Sequence, residues 1–141
     1  MTILASLTVT AAQAGVVTTP LQFRDGTPES LAFQATFAYG SGGTSVSAWI
    51  QTTIDGGVTW TDAANFTFTN ASARSFMALS ALTTANSPLL ATDGTLAANT
   101  AVGAPIGPEW RVKYTTVGTY AGGTTLRIDA AANRGRLTSL V

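Results

Sequence analysis

Apolar positions in this chain recur every second residue, and helical spacing is almost missing. Leu31, Phe33, Ala35, Phe37 and Tyr39 share one parity while Ala32, Gln34, Thr36 and Ala38 share the other, which is the pattern of a strand with one buried face. The cluster Gly40, Ser41, Gly42 and Gly43 turns the chain, and Val46, Ala48 and Ile50 then alternate with Ser47, Trp49 and Gln51. Phe66 and Phe68 alternate with Thr67 and Thr69. Trp110, Val112 and Tyr114 alternate with Arg111 and Lys113, and Leu126, Ile128 and Ala130 with Arg127 and Asp129. Phe33, Phe37, Phe66 and Phe68 are the expected core. Near the start, Ile3, Ala5, Leu7 and Val9 alternate with Thr2, Ser6, Thr8 and Thr10, broken only by Leu4, so residues 1–15 read as a strand or an N-terminal arm. The triplet Ala12-Gln13-Ala14 looks like a cleavage site, but a secretory leader wants a basic start and no basic residue precedes Arg24. Short strands punctuated by Gly, Asp and Asn predict an all-β fold: an antiparallel β-sandwich, jelly-roll-like, of about eight strands.

Residues 83–108 break this rhythm with Pro88, Pro105, Pro108, Gly94, Gly103 and Gly107. They read as one long loop, shortened by a helix around Leu96 to Val102. Loops of this length in compact domains tend to carry function, which makes Leu96 and Val102 candidate partner contacts. The chain reads as a single domain over 1–141, ending in a tail at 131–141, and no run is long and apolar enough for a membrane-spanning helix.

Composition narrows the chemistry. With no Cys and no His among 141 residues, disulfides, Cys/His zinc sites, thiol nucleophiles and imidazole bases are excluded. Charged residues are only 10% of the chain, and seven basic ones cancel seven acidic ones, which leaves little self-repulsion to hold copies apart. The 25 Thr and 24 Ala favour pleated, half-buried settings and a surface that packs against neighbours. A His-free glycosidase would need two of Asp25, Glu29, Asp55, Asp62, Asp93, Glu109 and Asp129 as a pair. Asp25, Asp55 and Asp93 each precede Gly and read as turn formers. The sole lysine, Lys113, sits on the exposed parity of its strand, a poor place for a Ser/Lys dyad. No catalytic residue, cofactor or metal site is expected.

The sharpest motif is Thr53-Ile54-Asp55-Gly56-Gly57-Val58-Thr59-Trp60, an Asp-box pattern whose physics is a hairpin. Asp55 can accept hydrogen bonds within the turn, Gly56 and Gly57 can take positive φ, and Thr59 and Trp60 lead into the next strand with the indole over the turn. Sialidase-like propellers repeat this box in every blade. Here it occurs once, so the motif reads as structural. The triplets Asn65-Phe66-Thr67 and Asn70-Ala71-Ser72 are what chance provides in so Thr-rich a chain.

Charge is unevenly placed. Residues 1–110 hold two basic against six acidic groups, whereas residues 111–141 hold Arg111, Lys113, Arg127, Arg134 and Arg136 against Asp129 alone. These five are candidate interface residues for an acidic protein surface, with Arg127 and Asp129 expected opposite Arg111 and Lys113 across the turn Thr115 to Gly123. Five cations without a recognition motif make too thin a footprint for nucleic acid. Trp49, on the otherwise polar face of its strand, is either a second-layer core residue or an interface anchor.

The stretches Gln51 to Phe68 and Trp110 to Ala132, with the run Thr92 to Thr100, resemble a family of small tailed-phage virion proteins encoded among head and connector genes. The landmarks are the hairpin Asp55 to Trp60, a crossover near Ser80 to Leu82, and the hairpin carrying Arg111 to Lys113 and Val117 to Tyr120. The resemblance implies a β-sandwich that assembles on the particle with no catalytic residues: a capsid decoration or cement protein, made in the host cytoplasm and located on the virion head. Its partners would be the major capsid protein or other virion proteins, and it would form a homo-oligomer, a trimer being favoured, without nucleic acid or membrane. A head–tail connector or minor tail protein is the alternative within virions. Outside them it is a carbohydrate- or receptor-binding sandwich stacking sugars on Trp49, Trp60 or Trp110.

Overall fold

The computed structural model describes residues 1–23, 26–81, 88–102 and 107–133. Its strands are β1 (Thr2–Thr8), β2 (Gln13–Val17), β3 (Leu21–Gln22), β4 (Ser30–Ala38), β5 (Ser41–Gly42), β6 (Ser45–Thr53), β7 (Thr61–Phe68), β8 (Ala73–Ser80), β9 (Glu109–Val117), β10 (Tyr120–Ala121) and β11 (Thr125–Asn133). Eight of these are five residues or longer, and the described residues contain no helix. Two antiparallel sheets form the sandwich, ordered β1-β11-β4-β8 and β2-β9-β6-β7, with β3 continuing the β2 edge along β9 and β5 pairing β10. Among the long strands the first pairs with the last, the second with the seventh, the third with the sixth and the fourth with the fifth, so the chain runs as one long hairpin wound on itself. The tip of that hairpin is the turn between β6 and β7.

The core lies between the sheets where the alternation places it. Leu31, Phe33, Ala35 and Phe37 of β4 face Val46, Ala48 and Ile50 of β6, and Trp110, Val112, Leu126 and Ile128 are fully buried with them. Aromatic rings carry the packing. Phe37 stacks on Phe68 at 5.1 Å between centroids, Phe33 lies 5.8 Å from Trp110, and Tyr120 meets Phe37 edge-on at 6.0 Å while donating its hydroxyl to the Thr69 carbonyl at 2.8 Å. Gly43, at φ +69°, packs against the Tyr120 ring so closely that any β-carbon would strike it.

Three bulges and crossings revise the simple alternation. In β1 the register slips between Ile3 and Ala5, so Leu4 and Ala5 both turn inward and Ile3 turns out, 45% exposed. In β7 the slip at Ala63 separates Asp62 from the buried parity of Ala64, Phe66 and Phe68 and brings it to the outer face, which spares the core a carboxylate. Arg127 and Asp129 do not face Arg111 and Lys113. After β9 the chain crosses through β10 to the other sheet, so β11 pairs β1 and β4 while β9 pairs β2 and β6.

Candidate functional site

The expected helix at Leu96 to Val102 does not form. Residues 92–102 run instead as an irregular strap along the free edge of β7. Asp62 N–H donates to the Thr92 carbonyl at 2.8 Å, Asn65 N–H to Thr100 at 2.8 Å, and Val102 N–H to Ala63 at 2.8 Å. The edge offers a row of unpaired backbone groups, and satisfying them along the strand outweighs what a short helix with Gly94 before it could offer. Of the rest of the expected long loop, residues 83–87 and 103–106 lie outside the described residues, as does Leu82 of the supposed crossover.

Under the strap, the outer face of β6, β7 and β9 carries two cross-strand rows: Asn65–Trp49–Lys113 and Asp62–Gln51–Arg111. Asp62, 1% exposed, is the hub. Its carboxylate accepts from Gln51 Nε2 at 2.9 Å and Thr92 Oγ1 at 2.8 Å, and from the successive backbone N–H groups of Gly94 (2.8 Å), Thr95 (3.1 Å) and Leu96 (3.1 Å). Three consecutive amides aimed at one anion form a nest that the strap can make because Gly94 takes φ +82°. Gln51, fully buried, extends the network: its Nε2 also donates to Asp93 Oδ1 at 2.6 Å, and its Oε1 accepts from Arg111 Nε at 2.8 Å. Asp93 in turn pairs with Lys113 Nζ at 3.0 Å, and the Gln51 and Lys113 hydrogen bonds hold its carboxyl below the ordinary value. On the far side Asn65 Oδ1 accepts from Asn99 N–H at 3.0 Å, while Asn99, at φ +55°, accepts from Thr67 N–H.

The expected interface residues take these places. Trp49 is a second-layer residue: half-buried, it donates Nε1 to the Leu96 carbonyl at 3.0 Å and pins the strap. Leu96 and Val102 are half-buried parts of the strap, with Leu96 N–H and Val102 N–H both donated inward. Arg111 lies over the Trp60 ring, 4.4 Å from its centroid, and Lys113 is tied to Asp93. Arg127 is exposed but pairs with Asp129 on its own strand at 3.0 Å. Arg134 and Arg136 lie outside the described residues. Of the described candidates, Arg111 and Lys113 lie on the β2-β9-β6-β7 sheet and Arg127 on the other. Trp110, one expected sugar platform, is fully buried with Nε1 on the Gly107 carbonyl at 3.0 Å, and Trp60 has its face occupied by Arg111.

The Asp-box turn closes locally. Asp55 accepts from Thr59 N–H at 2.9 Å, Thr59 Oγ1 at 2.5 Å and Thr53 Oγ1 at 2.8 Å, and these bonds, Thr59's first, lower its pKa to about 2. Thr53 Oγ1 accepts from Gly57 N–H at 3.0 Å, with Gly56 and Gly57 at φ +74° and +91°. Ile54 and Val58 stand on the turn, about four-fifths exposed. Glu109 accepts from Gln22 and Asp129 from Arg127, so Asp55, Asp62, Asp93, Glu109 and Asp129 are all engaged in holding structure. Among the described residues no three carboxylates gather into a metal site.

The other sheet presents a contrasting surface. On the outer face of β1-β11-β4-β8, one cross-strand row runs Ile3–Asp129–Gln34–Phe76 and the next brings Ala131, Ala32 and Ala78 together. Phe76 is 64% exposed, with Arg74 over its ring, and Met1 stands free beside a shallow depression of about 250 Å³ bordered by Ala32, Gln34, Phe76 and Ala131. No family model, curated protein or solved structure matches the chain.

Proposed function

We propose that this chain is a non-enzymatic structural protein of a tailed-phage virion, a decoration or cement protein that binds the capsid shell as a symmetric oligomer. The observation that carries the proposal is the outer face of the β1-β11-β4-β8 sheet: broad, alanine-lined, with Phe76 proud of it beside Arg74 and with Arg127 closed into a pair with Asp129. Such a face suits packing on another protein, because it presents apolar area with few charges, Arg127 being paired with Asp129 and Arg74 lying over the Phe76 ring. The nested strand pairing supports reading the sandwich as a jelly roll, an architecture common in capsid proteins. The resemblance across Gln51 to Phe68 and Trp110 to Ala132 supports the same assignment. The engagement of five carboxylates in turns, nest and ion pairs supports the non-enzymatic part. Cementing works by many modest contacts multiplied by symmetry.

Purified protein mixed with phage heads that lack it should co-sediment saturably. Phe76→Glu, a change on an exposed side chain, should weaken binding by about tenfold or more while leaving the melting temperature close to wild type. Failure of the wild-type protein to co-sediment overturns the assignment. Unchanged binding by F76E removes this face as the contact.

A further inference from the structure

We infer that two copies of this chain pair through their β1 strands, edge to edge and antiparallel about a two-fold axis at Leu7, joining two four-stranded sheets into one of eight strands. Sheet edges are templates for strand addition unless blocked, and the other three edges carry blocks. The strap occupies β7. The β2 edge is broken by the register slip at Gly15 and by Pro20 before β3. The β8 edge carries Arg74. The β1 edge has no charged residue and no proline from Thr2 to Thr10, and its one bulge lies at its start, leaving Ala5–Thr8 regular.

The register follows from the hydrogen bonding. Val9 N–H donates to Thr124 on the β11 side at 2.9 Å, so by strict alternation Ala5, Leu7 and Val9 direct their backbone groups to β11, and Ser6 and Thr8 direct theirs away from the sheet. A second β1 placed antiparallel then sets Ser6 opposite Thr8 of the second copy, and Thr8 opposite its Ser6. Each couple exchanges both backbone bonds, about four in all. Leu7 faces its own copy at the axis in a non-hydrogen-bonded position, where it is now only half-buried. The Ser6 and Thr8 hydroxyls meet on the outer face, a favourable cross-strand pairing, and no charge opposes a charge. The contact is isologous and closes at two copies, which fits an occupant identical to the chain itself. It gives the proposed oligomer a two-fold element without depending on the virion assignment.

The chain has no cysteine, so a cross-link reports the register cleanly. Leu7→Cys should form a disulfide-linked dimer under mild oxidation, because directly opposed residues at a non-hydrogen-bonded position lie within disulfide reach. Wild-type protein should sediment at twice the 14.4 kDa chain mass. Ser6→Pro should restore the single-chain mass with its melting temperature kept, because the lost N–H points away from β11 and proline is tolerated on an edge strand. Single-chain mass for the wild type, or an oligomer unaltered by S6P with no L7C cross-link, would overturn the pairing. Head binding measured on the S6P monomer separates this result from the shell-binding proposal.

Discussion

Asp55 shows how a single side chain can be fully exposed and still structural. Its depressed pKa, about 2 against 3.8, comes from hydrogen bonds that favour the carboxylate over the acid. A group whose folded pKa is lowered contributes stability that is present above the unfolded value and lost as pH falls through the folded one. Urea midpoints of the wild type should therefore exceed those of Asp55→Asn above about pH 4 and converge with them near pH 2. A constant gap across that window would place the stabilisation elsewhere. The residue scale was partly legible in advance: the Thr53 to Trp60 motif names its own donors and acceptors by spacing. The hub at Asp62 was not, because its partners Gln51, Thr92 and the amides of Gly94 to Leu96 lie 11 to 34 residues away. One signal was present: Asp62, two residues before Ala64 and four before Phe66, falls on their buried parity, where an acid needs a bulge or a partner.

At the scale of elements, the strap is the feature that composition concealed. Proline and glycine mark residues 83–108 as a loop in the sequence, but nothing in their local pattern says that 92–102 will guard an edge. Edge protection is a long-range requirement and leaves no periodic trace. The strap depends on Asp62, so Asp62→Ala should cost about 3 kcal/mol or more in urea unfolding, since the nest amides, Gln51 and Thr92 lose a buried charged acceptor together. In the same variant the amides of Gly94 to Leu96 should exchange with solvent freely. Wild-type protection there would mean that the strap is held by its other contacts to β6, β7 and β9 without the nest. The long strands were legible because their inner faces are continuous, as with Leu31 to Phe37 in β4. β8 was not, since only Leu79 of its eight residues is fully buried. The crossing through β10 was invisible for the opposite reason: Arg111/Lys113 and Arg127/Asp129 read as one hairpin until the sandwich separates them into different sheets.

The described residues form a sandwich with the strap covering the β7 side of one outer face and the other outer face left broad. Trp110 sits in the core, the Trp60 ring lies under Arg111, and Asp62 and Asp93 hold the strap. The two proposals place partners on the β1-β11-β4-β8 face and at the β1 edge. As the proposed cement protein it would act through repetition on a larger body. The most direct test of the proposed role is the number of copies of this chain in purified phage particles, by quantitative mass spectrometry against the major capsid protein. Hundreds of copies per head, in fixed ratio to the shell subunit, is the result expected of a cement protein. Absence from the particle, or a dozen copies or fewer confined to one vertex, would contradict it.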